Sequence, residues 1–298
     1  MQPPRKWRKP VFPERVTAGV AFVVIASAAL EQIGANAAGA AAGRDPEYLH
    51  QLRVGVRRLR SALRAFRPLL RRRRAAEIEL PWQGMMQTLG DARDWDVFVK
   101  TLSPGPLLLE AAKRRSTSQR RARALLDSEA FRRARGMTLA QIHRGLWRRG
   151  ADPAEALASF ARPALEKLHR GLRESAEGID WRNAERRHRV RIRVKRIRYA
   201  CDFFAPAFSA RRFGAYLEGL RGMQDILGEM NDIEVQRVLL RRLVPRRSPL
   251  GIVRTEAVLR AALAVREHEL IGELEPAWRA FETGRPFWRR PAVGRQKV

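Results

Sequence analysis

Apolar residues recur at Leu52, Val56, Leu59, Leu63 and Phe66, stepping by four, three, four and three. The same steps separate Val190, Val194, Ile197, Cys201 and Phe204. At about 100° per residue each set forms one stripe along a helix, so both segments are predicted to be helical. The local alternation of apolar and basic residues over 189–198 would suit a strand. The longer stripe outweighs it. Opposite the stripes run two polar rows: His50, Arg53, Arg57, Arg60 and Arg64 in the first, His188, Arg191, Lys195, Arg198 and Asp202 in the second. Each row falls within an arc of about 80°.

Breakers divide the rest of the chain at intervals typical of helix ends. The predicted helices are about 16–42, 46–73, 77–101, 107–135, 138–148, 154–177, 183–205, 209–243, 250–270 and 273–283. Gly43 follows the first, and Asp45 with Pro46 supplies an N-cap and a first-turn proline for the second. Ser103–Pro106, Gly150–Pro153 and Pro245–Pro249 are the clearest interruptions. The pattern predicts an all-α protein. Residues 1–15, with four prolines, read as a flexible basic leader, and 289–298 as a basic tail.

One pattern is written twice. His50–Arg60 reads HQLRVGVRRLR and His188–Arg198 reads HRVRIRVKRIR, at an offset of 138 residues. The same offset carries Gly90-Asp91 onto Gly228-Glu229, Asp94 onto Asp232, Asp96 onto Glu234 and Val97 onto Val235. A constant shift over such a distance marks an internal duplication. The division falls near 150, giving repeats of about 16–150 and 151–288.

Charge sharpens the picture. The 298 residues carry 60 Lys and Arg against 31 Asp and Glu, a net of +29. That excess calls for a polyanionic partner or strong solvation. Only seven of the cations are Lys. A GC-rich genome explains Arg in place of Lys, but not the net charge or its placement. Arg also presents a planar fork that matches phosphate oxygens. Cys201 is the only cysteine, which excludes an intrachain disulfide framework. Zinc-finger spacing, a P-loop, a dinucleotide fingerprint, HExxH and GxSxG are all absent.

Near the N-terminus, basic residues precede an apolar run from Ala18 to Leu30, and Ala35-Asn36-Ala37 mimics a signal-peptidase site. The alternative, the first amphipathic helix of a bundle, fits the remaining helices better. The run itself is too short to span a bilayer.

A row of like charges at i,i+3 and i,i+4 is unfavourable by a few tenths of a kcal/mol per pair. On one helix it is an ordinary wet face. Repeated in the same register, two such faces can converge on a shared anion-binding cleft. His50 and His188 would donate from both ring nitrogens only when protonated, a state that a polyanion promotes. Asp91 and Asp94 share a helix face, whereas Asp94 and Asp96 lie about 200° apart. These carboxylates therefore converge poorly for a metal. Asp94 and Asp232 are expected to hold an Arg or His of the basic rows by charge-assisted hydrogen bonds. His143, His169 and His268 have no counterpart in the repeat and receive no role.

The two basic segments are similar to the signature helices of CHAD domains, the histidine-containing α-helical domains. Leu89-Gly90-Asp91-Ala92-Arg93-Asp94 and Leu227-Gly228-Glu229-Met230-Asn231-Asp232 resemble that family's second repeated element, and Phe287-Trp288 its closing motif. The resemblance covers about 16–288. It implies two four-helix bundles related by a pseudo-twofold axis, enclosing a basic cavity that binds inorganic polyphosphate without catalysis. The binding residues it implies are His50, Arg53, Arg57, Arg60, His188, Arg191, Lys195 and Arg198; Arg58, Arg64 and Arg196 of the same two segments are added as candidates. No catalytic residue, metal or cofactor is implied. Cytoplasmic polyphosphate granules are the location that such a partner suggests, with no membrane role. Some relatives carry a triphosphate-tunnel (CYTH) domain, whose hydrolase activity is not transferred to this sequence. Gly55 departs from good helix formers, and Asp202 ends the second row where Arg64 ends the first.

Two other functions remain to be weighed. A non-specific nucleic-acid binder fits the charge, but the contact positions of the basic rows contain no aromatic to stack on a base. Nucleic acid is therefore expected only as a weaker electrostatic competitor. A phosphoanhydride-cleaving enzyme would want convergent carboxylates for a metal, which the spacing does not offer.

Overall fold

A computed structural model describes residues 3–13, 15–208, 210–244 and 250–289. Among these residues the protein is all-helical, with nine α-helices: α1 Ala18–Ala42, α2 Pro46–Ala65, α3 Arg72–Phe98, α4 Pro106–Asp127, α5 Glu129–Arg144, α6 Leu157–Ala176, α7 Ala184–Phe204, α8 Ala210–Leu243 and α9 Leu250–Thr283. The Pro245–Pro249 interruption lies outside the described residues, as does the basic tail beyond Arg289.

Both apolar stripes are buried along their whole length and end on aromatic rings that meet. Phe66 and Phe204 pack edge to face at 5.2 Å, and Phe66 stacks on Phe160 at 5.5 Å. Phe22 touches Phe66 at 5.7 Å, and Phe160 touches Phe204 at 5.9 Å. Those last two contacts are separated by the same 138 residues as the basic pattern. Around this centre α1 lies on α2, α6 on α7, α3 on α4 and α8 on α9; α2 also meets α7, α3 meets α8 and α4 meets α9. A smaller cluster of Trp95, Phe98, Leu102, Leu107, Leu239, Leu240 and Ile252 seals one end.

Gly55 is explained by the α1–α2 contact. A Cβ at that position would lie 2.9 Å from Ile33 Cγ1 and 3.1 Å from the Ala29 carbonyl oxygen. The cost of glycine in a helix is offset by close backbone approach. α1, at 25 residues, is long and apolar enough to cross a membrane, so the expectation that the run is too short fails on length. It serves here as a core helix, with Phe22, Ile25, Ala29 and Ile33 buried.

Several helix boundaries differ from the pattern: α2 ends at Ala65 and not near 73, and α3 begins at Arg72 and not near 77. The break expected near 136–137 falls at Ser128, whose hydroxyl accepts from the Phe131 amide as an N-cap. The two helices expected at 250–270 and 273–283 are one. Pro276 sits within α9 on its solvent side, where the Gly272 carbonyl that it leaves unbonded is open to water.

The described part of the leader is docked. Arg5 and Asn36 exchange two hydrogen bonds of 3.0 Å, and Arg5 pairs with Glu31 at 2.7 Å. Trp7, Phe12 and Val16 pack against the core. The leader expected to be flexible is thus, over residues 3–13, an extended strap with its own partners. The junction near 150 is equally committed. Ala18 and Gly19 at the start of α1 donate to the carbonyls of Glu155 and Pro153, and Leu157 donates to Val16.

Candidate functional site

α2 begins at Asp45, whose carboxylate accepts from the Glu47 amide at 2.8 Å, with Pro46 in the first turn. α7 begins at Asn183, whose side chain accepts from the Arg186 amide. Buried Arg187 secures this start by donating to the carbonyls of Trp181 and Arg182 and pairing with Glu267. The caps fix the helical registers, and the buried stripes fix the rotation of both helices. The basic rows must then face away from the aromatic centre.

The eleven predicted binding residues separate into two groups. Arg57 of α2 stands within electrostatic reach of Arg191 and Lys195 of α7, with Asp232 of α8 as the facing carboxylate. Burial, then Arg191 and Arg57, push the Lys195 ammonium down to about 7, so near neutral pH it is only partly charged. The Nε atoms of Arg57 and Arg191 are buried with no hydrogen-bond partner. Next to them, Arg53 lies across α3 at Gly90 and faces Asp94; burial lowers its guanidinium to about 10, still charged at neutral pH. His188 is held below its usual range by burial, Arg191 and Lys195. His50 is lowered by burial and Arg93, against the opposing pull of Glu47. Without an added anion both imidazoles favour the neutral form.

The second group lies nearer to protein acceptors, although the Nε atoms of Arg58 and Arg60 and one Nη of Arg58 are also buried without a hydrogen bond. Arg60 and Arg64 share Glu79 of α3. Arg198 binds Asp202 at 3.0 Å and also Gln224. Arg58 is sandwiched between Trp7, 4.3 Å from its ring centre, and Tyr199 at 5.5 Å, with Asp202 at 4.0 Å. Arg196 is exposed beside Arg64 and Arg193.

A cleft of about 780 Å³ opens between α3, α4, α8 and the start of α7. Arg53 and His188 reach it from the predicted set, joined by Arg121, Arg242, Asp91, Asp94 and Glu234. It is therefore mixed in sign. Asp91 accepts from Ser118 and from Arg242, each at 2.8 Å. A smaller pocket of about 70 Å³ next to it holds His188 and Arg191 between α7 and α8. Arg121 and Arg242 had no signal in the sequence, since α4 carries no repeated motif and Arg242 lies ten residues beyond Asp232 on α8.

The carboxylates differ from expectation. Asp94 faces Arg53, and Asp232 faces Arg191 and Lys195, but neither makes the expected hydrogen bond to its cation among the described residues. Asp94 is raised by its burial, with Arg53 pulling it down. Asp96 points elsewhere, fully buried and bonded to Arg115 at 2.6 Å and Gln119 at 2.7 Å on α4. Among the described residues no group of three or more His, Cys, Asp or Glu is placed to hold a metal. Phe287 and Trp288 are buried, and the Trp288 indole donates to Glu166 at 2.9 Å. His169, which has no counterpart in the repeat, is buried beside them and bonded to the Tyr216 hydroxyl at 2.9 Å.

Comparison with known proteins gives a consistent picture. The model of the CHAD domain family matches residues 24–241. The fold is similar to the crystal structure of the CHAD domain from the plant Ricinus communis, with a TM-score of 0.80 and 28% identity, over 96% of this chain and 98% of that one. PptA from Streptomyces chartreusis shares the fold at a TM-score of 0.65 and 16% identity, over 90% of this chain and 99% of that one. No curated protein sequence matches the chain.

Proposed function

The chain belongs to the CHAD domain family, and from that premise we propose that it binds inorganic polyphosphate without cleaving it. The carrying observation is the Arg57–Arg191–Lys195 cluster. Arg191 and Lys195 share Asp232 as their facing carboxylate, Arg57 adds a third cation beside them, and Arg57 and Arg191 each leave a buried guanidinium donor unbonded. Unmatched buried donors cost about 1–3 kcal/mol each, and the lowered Lys195 records its burial first and then the repulsion of Arg191 and Arg57. A chain of phosphates would supply both the missing acceptors and the missing charge. One helical turn advances 5.4 Å, so successive turns of α2 and α7 offer cations at the spacing of a linear polyanion.

In this reading Arg57 and Arg191 grip phosphate oxygens through their forks. Lys195 takes up a proton as the anion arrives, and His188 and His50 can do the same at the ends of the rows. Arg53 serves at the edge of the cleft. Arg64 and Arg198 act chiefly as the frame, since Glu79 and Asp202 already meet their charges, while Arg58 and Arg60 keep buried donors that a phosphate could also reach. The non-catalytic reading is supported by Asp91 and Asp94, which line the cleft but are met there by the cations Arg242 and Arg53. The two helix sets are taken as copies of one duplicated unit, supported by the matched aromatic contacts and by the α2–α7 and α3–α8 pairing. Polyphosphate granules in the cytoplasm are the location this reading gives.

The test is a titration of labelled polyphosphate with duplex DNA as competitor, at two salt concentrations. Polyphosphate should bind with a steep salt dependence, and DNA should displace it poorly. Equal displacement by DNA would replace this reading with general polyanion binding.

A further inference from the structure

A second concentration of cations lies outside the cluster just described. The turn after α2 and the turn after α5 are joined by an antiparallel bridge between Leu70 and Trp147. Arg71 donates its amide to Leu146 and Arg148 its amide to Leu69, each at 2.7 Å. Their side chains repeat the exchange: Arg71 Nε donates to the Trp147 carbonyl at 2.7 Å and Arg148 Nε to the Pro68 carbonyl at 3.2 Å. This zipper gathers exposed Arg67, Arg71, Arg72, Arg148 and Arg149 onto one surface. Two carboxylates border this region: Glu77 pairs with Arg73 and Arg74, and Glu79 with Arg60 and Arg64. The guanidiniums of Arg67, Arg72 and Arg149 have no partner among the described residues.

Helix stability does not account for this arrangement. The first turn of α3 carries Arg72, Arg73 and Arg74 and no acid, the reverse of what a helix N-terminus favours. Four hydrogen bonds join the two turns, so the backbone itself brings these arginines together. The one aromatic at the bridge, Trp147, turns inward against Phe22 at 5.9 Å. The surface therefore offers phosphate contacts without a platform for stacking bases. It is continuous with the first cluster, because Arg64 lies one turn before Arg67 and neighbours exposed Arg196.

We infer that the zipped surface around Arg67, Arg72 and Arg149 is a second contact for polyphosphate chains long enough to extend beyond the Arg57–Lys195 cluster. The inference rests on the proposed function and adds a route to it: along the end of α2, past Arg64 and Arg196, to the bridge. Such a surface distinguishes ligands by length, since a short oligophosphate fills the first cluster and never reaches the second.

The full chain and its Arg67→Gln/Arg72→Gln/Arg149→Gln variant are to be titrated with tripolyphosphate, with a long-chain polyphosphate and with duplex DNA. Lys195→Ala serves as the reference for the first cluster. The triple variant should keep its melting temperature and its tripolyphosphate affinity. Its long-chain affinity should fall tenfold or more. The salt slope should be shallower by about two, since each phosphate neutralised on a flexible polyanion contributes roughly 0.7. Unchanged long-chain affinity and slope would overturn the inference, while loss of binding in Lys195→Ala would leave the first site standing. Lost DNA binding with intact polyphosphate binding would also overturn it, assigning the surface to nucleic acid. If Lys195→Ala binds both polyphosphates normally, the first site itself is wrong.

Discussion

Arg53 crosses α3 so closely at Gly90 that a Cβ there would stand 2.8 Å from its Nη1. Gly90-Asp91 is repeated as Gly228-Glu229, and this contact gives the first glycine a purpose. Its counterpart Gly228 has open space at the same position, so the two sides of the site are not equivalent. Gly90→Ala should displace only the end of a flexible side chain, while gaining up to about 1 kcal/mol of helix propensity. The expected variant is at least as stable as the parent but binds polyphosphate more weakly. Gly228→Ala, by contrast, should bind normally. Thermal unfolding and titration of both variants check the pair.

Lys195 makes the empty protein sensitive to pH. Its folded value, about 7, lies below the ordinary 10.5. Between those values the unfolded chain holds a proton on this side chain that the folded chain lacks. Stability without ligand should therefore rise with pH through that window. Affinity for polyphosphate should move the other way, since binding needs the charged ammonium. Melting curves and titrations from pH 7 to 10 should show both trends, and Lys195→Gln should flatten both.

Arg57→Ala and Lys195→Ala should weaken polyphosphate binding by about 1.5–3 kcal/mol, the worth of a charge-assisted contact. Neither should unfold the chain, and Lys195→Ala removes repulsion from the empty protein. Leu59 is fully buried on the same helix, and Leu59→Ala should cost about 2–5 kcal/mol of stability. A folded Leu59→Ala that loses ligand, beside an Arg57→Ala that binds normally, would invert the assignment of the two faces.

Polyphosphate should raise the melting temperature, because it binds the folded state alone. At a hundredfold excess over Kd the gain is about 2.7 kcal/mol. Calorimetry at low salt measures it, and high salt should erase most of it.

Trp7 covers the Arg58 guanidinium at 4.3 Å. Trp7→Ala should remove about 0.5–2 kcal/mol of cation–π interaction and release the strap. Limited proteolysis should then cut within residues 3–13 sooner than in the parent, while polyphosphate affinity changes little.

The helical stripes were legible because Leu52 to Phe66 and Val190 to Phe204 each repeat a period that only a helix satisfies. The pairing state of each cation was not. Arg60 and Arg57 sit on the same face, yet one meets Glu79 and the other meets Lys195, and those partners arrive from other helices. Ser128 could have been found, since a serine before Glu129 is a local cap signal. The break expected at 271–272 could not be judged the same way. Gly272 lowers helix propensity but does not by itself end a helix, and the burial of Leu270 and Leu274 on either side, which carries α9 through, is a tertiary fact. The docked strap had a weak signal in Trp7 and Phe12, apolar rings among prolines and cations.

The stitching of Ala18 and Gly19 to the carbonyls of Glu155 and Pro153 bears on how this architecture can be taken apart. The junction between the sequence repeats would ordinarily be the place to split the protein into exchangeable halves. Here that junction supplies acceptors for the first amides of α1, while Val16 returns an acceptor to Leu157. Fragments divided at Gly150 would each expose backbone groups that only the other can satisfy. Recombining halves from different relatives would therefore have to carry both sides of this stitch together, and co-expressed fragments should recover the fold where either alone does not.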